Sequence, residues 1–492
     1  MKFTLICCLL LHAAVLISAQ KKVVCFWGTW AAYRAGNGKF EVTNIDPTIC
    51  THIIYSFMGA KEDGSVTYLD SFMDLSDNWG KGYIDKFIAL RSQSPNTKFM
   101  MSIGGWNAGS AVYSKIAASA SIRDTFAQNV LNMLNKHGFD GFDFDWEYPA
   151  QRDTAYGSAD KANFVALLQT LKTKLAANGK LLTIAVAVVQ ASASLSYDIP
   201  NVAKNVDFIN LMTYDLHGSW DGVTGINAPL YAGPRDITSY QQQLNIDAVI
   251  KYWLAQGAPK DKLIVGIPLY GNSFTLSNSS NYFVGAPSSG AGTAGKFVAQ
   301  DGFLPYNEIC YNIKNGVFAR YWENTQKVPY AVGGNQWVGY DDAESIAYKV
   351  NYIQDNNLGG AMFWSIETED FNNICGNGKF PLIKMTYQAL IGNTTITTPT
   401  TVPPTVAPTT VAPTVGPTQT PTVAPTVAPT TTTTTVSPAG PFVCPGNGLF
   451  KNPADCNSFY NCWGGVAWLQ YCQVGFVYNP NGYCDYPSNY KC

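Results

Sequence analysis

The chain has 492 residues, with 32 Lys and Arg set against 34 Asp and Glu, a formal net charge of −2. Charged residues are 13% of it and aromatic residues another 13%, where ordinary soluble domains carry about 25% charge. This excludes the basic stripe that releases counterions from nucleic acid and the polybasic cluster that docks on anionic membranes. It favours an uncharged ligand with flat faces.

In chain order, Lys2 precedes an apolar run over residues 5–17, and Ser18 and Ala19 supply small residues for cleavage. Residues 1–19 therefore read as the signal peptide of a secreted, extracellular protein. The run is shorter than the ~20 apolar residues of a membrane anchor. Two of the twelve cysteines, Cys7 and Cys8, fall inside it, and the other ten are an even set, as expected for disulfides. From residue 20 to 393, apolar runs at 23–27, 52–57, 99–103, 141–145, 181–188, 208–212, 263–267 and 361–364 alternate with helical patterns. The runs are apolar throughout rather than alternating, as strands buried on both faces are. Between them, Ser121 to Asp124 reads as an N-cap, Phe126, Val130 and Leu134 share a helical face, and Gly138 stops the helix. Residues 162–177, 246–256 and 343–356 read likewise. Eight such strands favour an α/β fold, a (β/α)8 TIM barrel, over a doubly wound sheet. The excess length falls at about 272–339, Gly- and Tyr-rich without clear helices, and reads as a subdomain inserted before the last strand. Residues 394–441 carry no charge and consist mainly of Thr, Pro, Val and Ala. They cannot bury enough apolar surface to offset their ordering, and Thr with Pro reads as an O-glycosylated stalk. Residues 442–492 hold six cysteines, a disulfide scaffold by density, whose pairing the spacing leaves open.

The passage from Phe139 to Glu147 carries the chemistry. On an extended strand Asp143, Asp145 and Glu147 share one face, while Phe142, Phe144 and Trp146 take the other. If this is the fourth barrel strand, the acids line the interior and end at the C-terminal mouth, where barrel active sites lie. Repulsion and desolvation then raise the pKa of Glu147, which suits it to donate a proton. The bland alternatives are an exposed acidic turn or a calcium loop, and calcium loops do not place Phe and Trp between their acids. Of the four histidines, His52 and His137 read as structural and His217 belongs to a motif given below. No His and Cys cluster suggests zinc, and no cofactor is expected.

Asp140-Gly-Phe-Asp-Phe-Asp-Trp-Glu147 resembles the Asp-Gly-x-Asp-x-Asp-x-Glu signature of family 18 chitinases. Met101 to Trp106 resembles the family's third-strand motif, Met212 to Trp220 its sixth, and Gly266 to Gly271 its seventh. Trp337 to Asp342 and Gly359 to Trp364 resemble its closing segment. The resemblance implies a barrel with an inserted α+β subdomain and hydrolysis of β-1,4-linked N-acetylglucosamine with retention. The substrate's own acetamido oxygen would attack, giving an oxazolinium ion. Glu147 would protonate the leaving oxygen and then activate water. Asp145 would orient the acetamido N–H, and Asp143 would hold Asp145 through a shared proton. Tyr214 and Asp215 are similar to residues that contact the acetamido group. Trp30, Phe57, Gly105, Trp106, Met212, Trp220, Tyr270 and Trp364 match groove positions, with Trp364 as the floor. Cys25 with Cys50 and Cys310 with Cys375 match family pairs. Two departures stand out: Asn272 replaces the usual Arg, and Glu367 and Glu369 stand where Asp is common.

The tail resembles the peritrophin-A type chitin-binding domain, supported by Cys456-Asn-Ser-Phe-Tyr-Asn-Cys462 and Cys484-Asp-Tyr-Pro487. That resemblance implies the pairs Cys444–Cys462, Cys456–Cys492 and Cys472–Cys484. Exposed aromatics would bind, with Trp463, Trp468, Tyr478 and Tyr486 as candidates. Asn278 and Asn393 head glycosylation sequons. The expectation is a secreted, monomeric chitinase that meets chitin and its oligosaccharides and neither nucleic acid nor membrane. The alternative is a chitinase-like lectin or structural chitin-binding protein, which the retained Glu147 disfavours.

Overall fold

Each of the eight apolar runs becomes a parallel strand, because a strand covered on both faces has no position for a solvated side chain. The computed structural model describes residues 20–392, 394–396, 443–445, 448–463, 466–471, 477–479 and 483–485. Residues 1–19, expected to be a signal peptide, and nearly all of the Thr/Pro stretch lie outside these. The barrel strands are β1 (Lys22–Gly28), β2 (His52–Ala60), β3 (Lys98–Gly104), β4 (Gly141–Asp145), β5 (Leu181–Val186), β6 (Phe208–Leu211), β7 (Leu263–Pro268) and β8 (Gly360–Trp364). Neighbours pair in that order, all parallel, and β1 pairs with both β2 and β8, which closes the barrel. Closure leaves no open edge between these eight strands.

Two apolar layers follow. Val24, Phe26, Ile54, Met100, Phe208, Ile264 and Met362 fill the barrel interior. Outward-facing residues such as Val23, Cys25, Phe99 and Phe363 pack under the surrounding helices. The helix expected to start near Ser121 spans Ala120–His137, and its cap is Ser119, whose hydroxyl accepts from the Ile122 N–H at 3.4 Å. Ser121 is already helical and its hydroxyl only meets that of Ser119. Gly138 ends the helix in the left-handed conformation, as expected.

The inserted subdomain is an antiparallel sheet built around Tyr270–Leu276, which pairs with Ser288–Ala291, Phe303–Pro305 and Gln336–Gly339. Val328–Gly333 and Ala319–Glu323 extend it. Phe274, Tyr330 and Trp337 form its core. The segment also contains a helix, Tyr306–Lys314, which buries Tyr306 and Ile309, as the α+β insertion implied by the resemblance requires, although the residue pattern by itself showed no clear helix. Its apolar stripe spans only nine residues, too short to stand out among Gly-rich flanks. That helix carries Cys310, which bonds Cys375, and Cys25 bonds Cys50.

The described residues fall into two compact units, one within Met1–Pro408 and one within Thr409–Cys492. The second has an antiparallel sheet of Gly448–Lys451, Ser458–Trp463 and Val466–Tyr471, and a hairpin of Val477–Asn479 with Tyr483–Asp485. Trp463 and Trp468 lie on these strands. Cys444 and Cys456 are disulfide-bonded, while Cys472, Cys492, Tyr486 and Asn393 lie outside the described residues. Tyr478, expected among the exposed aromatics, is instead 1% exposed and stacks on Phe459 at 4.5 Å. In so small a module an aromatic ring serves as core. Among the described residues no helix is long and apolar enough to cross a membrane.

Candidate active site

Strand β4 alternates as its sequence requires. Phe142 packs on Phe126, Phe144 on Tyr113 and Trp146 on Phe164, all beneath the outer helices. The acids are left facing the barrel axis. Register sets Asp143 between Ser102 of β3 and Thr183 of β5. It accepts from Ser102 Oγ at 3.0 Å, Thr183 Oγ1 at 2.6 Å and Asn210 Nδ2 at 3.1 Å. Burial nonetheless raises its carboxyl to about 6, with these three donors acting against the rise.

Asp145 ends the strand buried, and its Oδ1 has no hydrogen-bond partner. Burial first, then the charges of Glu147 and Asp143, push its carboxyl well above the ordinary range. Glu147 follows at the mouth, raised to about 7 mainly by burial; Tyr148 and the Arg152 charge pull it down and Asp215 pushes it up. Three acids on one wall thus share few charges, as like charges in a low-dielectric site must.

Beyond the end of β6, Tyr214 is buried over Met362, its hydroxyl 3.9 Å from Sδ. Asp215 adopts a left-handed φ of 53° at the open mouth. Its Oδ1 accepts from Tyr270 Oη at 2.8 Å and Asn272 Nδ2 at 3.1 Å, while its own N–H donates to Asn227 Oδ1 at 2.7 Å. Protein atoms crowd this carboxyl on its inner side, and that desolvation raises it against the two donors. Asn272 is therefore buried behind Asp215, where its amide supplies hydrogen bonds without a charge.

The rings expected to line a groove are brought together from three strand ends. Trp364 lies 6.2 Å from Trp30 and 5.9 Å from Phe57, and Trp30 stacks on Phe57 at 6.1 Å with an interplanar angle of 17°. Gly105, at φ 84° and ψ 167°, leaves room for Phe57: a Cβ there would lie 2.6 Å from the ring. Met212 packs half-buried against the interior cluster that also meets Trp364. Trp106 is exposed, with the Arg152 guanidinium 3.8 Å from its ring centre. Arg152 also donates to the carbonyls of Trp106 at 2.8 Å and Glu147 at 3.0 Å. Trp220 stands apart on the exposed turn Ser219–Asp221, its ring above Gly218. Tyr270 is buried and contributes through its hydroxyl on Asp215.

Sequence reasoning passed over Ser102, Thr183, Asn210, Asn227 and Arg152. The first three occupy inward positions of the expected strands, and polar residues there were the available signal. Glu367 and Glu369 are buried supports: Glu367 accepts from the Gly28 N–H at 3.1 Å and Glu369 from the Leu382 N–H at 2.5 Å. Asn278 is exposed and its side chain accepts from the Ser280 N–H. Among the described residues one trio of potential metal ligands converges, Cys310, Asp370 and Cys375, and its two sulfurs are joined as a disulfide.

Comparison with known proteins fits this architecture. Residues 22–369 match Glycosyl hydrolases family 18, and residues 444–492 match the Chitin binding Peritrophin-A domain. The chain is 35% identical over 475 residues to chitotriosidase-1 of Mus musculus, covering 94% of each. It is 38% identical over 407 residues to an endochitinase of Manduca sexta, covering 80% of this chain and 72% of that one. The crystal structure of Ostrinia furnacalis group IV chitinase in complex with allosamidin superposes with a TM-score of 0.74 at 43% identity, covering 76% of this chain and all of that one. With an eight-stranded barrel, two acids on its fourth strand with the third two residues beyond its end, and a match over residues 22–369, the chain belongs to glycosyl hydrolase family 18.

Proposed function

We propose that the protein is a secreted chitinase that hydrolyses β-1,4-linked N-acetylglucosamine with retention, through the acetamido group of its own substrate. The observation that carries this reading is the inward wall at the end of β4, where Glu147, two residues past the strand, is raised to about 7 beside two further buried acids. A carboxyl near neutrality can both give a proton to the leaving oxygen and take one from water. Asp145, with Oδ1 unpaired, is the acid free to turn toward an acetamido N–H and to stabilise the positive oxazolinium. Asp143, held by donors from three strands, anchors Asp145 through the proton that the pair shares. Tyr214 and Asp215 close on the acetamido group from the sixth strand, and Tyr270 and Asn272 hold Asp215 in place. The rings of Trp30, Phe57, Trp106, Trp220 and Trp364 offer faces to the sugars.

Residues 442–492 hold the enzyme on insoluble chitin through a glycosylated spacer, and the protein works outside the cell as a monomer. The test is Glu147→Gln. This variant should lose hydrolysis of chitin oligomers while binding them with near-parental affinity in calorimetry. Retained hydrolysis would sink the assignment.

A further inference from the structure

The loop after β6 and the inserted subdomain meet along a seam, where a cavity of about 380 Å³ opens, a volume typical of small-ligand sites. Gly233 and Arg235 form its wall on the barrel side, and Phe283, Trp322, Gln326 and Tyr330 form its wall on the insert. None of the groups described above around the three acids lines it. Two close approaches join the walls. A Cβ on Gly233 would lie 2.9 Å from Gln326 Cδ, and one on Gly285 would lie 2.6 Å from Arg235 Cδ. The Leu230 N–H donates to the Gln326 carbonyl at 3.0 Å, and Arg235 Nη1 to the Gly285 carbonyl at 3.3 Å.

The rings are fixed by the fold before anything binds. Tyr330 stacks on Tyr321 at 5.3 Å and on Trp337 at 5.2 Å. Trp322 packs on Tyr348 at 5.9 Å, with the Arg320 guanidinium 5.3 Å from its ring centre. Arg320 is itself paired with Asp342 and Glu344. Phe283 stands exposed at the rim, and its carbonyl accepts from Thr224 Oγ1 at 2.9 Å.

Gln326 breaks this pattern of satisfied contacts. It is 2% exposed, yet its Oε1 has no hydrogen-bond partner. A buried acceptor left unpaired keeps the whole cost of its lost hydration. The last torsion of a Gln side chain is soft, so the amide can turn its oxygen into the cavity that the side chain lines and accept from a ligand there. The charged groups of the lining already hold backbone. Asp236 Oδ2 accepts from the Gly233 N–H at 2.6 Å, Glu323 Oε2 from the Gln326 N–H at 2.5 Å, and Arg235 spans the seam to Gly285. The cavity therefore suits a neutral ligand with one flat apolar face and an N–H or O–H to donate.

We propose that this seam is a second sugar site, separate from the catalytic groove, which takes one N-acetylglucosamine residue with its ring face on Trp322 and a hydroxyl or N–H on Gln326 Oε1. The choice of sugar rests on the chitinase reading above, since that reaction releases neutral N-acetylated sugars of this chemistry.

The experiment uses the full-length protein and N-acetylglucosamine carrying a diazirine in its acyl group, with labelled residues located by mass spectrometry after irradiation. Label should appear within residues 322–330 or 233–236 as well as in the groove, and excess free N-acetylglucosamine should displace it. Gln326→Leu removes the acceptor and leaves an apolar side chain in its place, so Tm should not fall. Label at the seam should drop about fivefold in this variant, the scale of one hydrogen bond. Phe283→Ala, at an exposed position, should give a similar loss and decides the matter if Gln326→Leu folds poorly. For both variants kcat/KM on a soluble chitin tetramer should stay within about twofold of the parent. Absence of label at the seam overturns the proposal. So does label there that free sugar does not displace, or that both substitutions leave unchanged. A parent that cleaves no chitin oligomer defeats the chitinase reading, whereas displaceable label at the seam would still support this site.

Discussion

Glu147 must carry a proton to protonate a leaving oxygen, and it titrates at about 7. Activity is therefore full on the acid side of that value and is lost as pH rises through it, so the alkaline limb of kcat/KM should bend near 7. Arg152 acts on this limb and on binding together. Its charge favours the ionised Glu147, against which Asp145, Asp215 and burial work, with Tyr148 assisting it. Arg152→Gln should therefore move the alkaline limb to higher pH. It should also raise KM about two- to fivefold, through the lost contact with Trp106. A pH–rate profile on soluble oligomers checks both effects, and an unmoved limb would show that the guanidinium only props the loop. The acids themselves were legible because they lie within five consecutive residues, from Asp143 to Glu147. Arg152 was not, because its stacking on Trp106 joins positions 46 residues apart. Asn272 shows the same limit from the other side. A departure from the family pattern was visible in the sequence, but its amide on Asp215 appears only once the strand Tyr270–Leu276 and the loop after β6 stand side by side.

At the scale of elements, the strands were legible because burial on both faces leaves a continuous apolar run. All eight fall where such runs predict, with ends shifted by a few residues. β5 stops at Val186 and β2 continues to Ala60. Strand ends depend on pairing with neighbours, which no single run encodes. The helix Tyr306–Lys314 left no clear pattern because it is nine residues long and buries only Tyr306 and Ile309 of its apolar side chains. Where β3 meets the groove, Gly104 and Gly105 show what the connection demands. Gly105 occupies a φ/ψ region open essentially to glycine alone, and a Cβ would strike the Phe57 ring. Gly105→Ala should cost about 1–3 kcal/mol in denaturant unfolding and raise KM through a displaced Phe57. An unchanged unfolding midpoint would mean that the turn relaxes without strain.

At the scale of the molecule, charge is scarce where the polymer is expected to lie and concentrated where the chemistry is. Part of the scarcity belongs to residues 394–441, which carry no charge at all, and that share says nothing about the ligand. On the proposed reading, the tail works by effective concentration. Removing residues 394–492 should lower the rate on insoluble chitin about tenfold while leaving soluble oligomers nearly unaffected. Parallel measurement on the two substrates checks this, and equal losses would assign the tail a folding role. The buried Tyr478 narrows the search for binding rings in that module to aromatics other than the one its core consumes.

By itself the sequence determined the strand series, the face on which the three acids stand and the division into barrel, spacer and cysteine-rich tail. Each is written in contiguous residues, as a period of two, an unbroken apolar run or a change of composition. Only the tertiary structure decided which groups hold those acids and which rings meet. Ser102, Thr183 and Asn210 reach Asp143 from 40 to 67 residues away, and Trp30, Phe57 and Trp364 converge from three strand ends. Those meetings are set by barrel closure, which aligns the strands by hydrogen-bond register and carries no mark in local spacing.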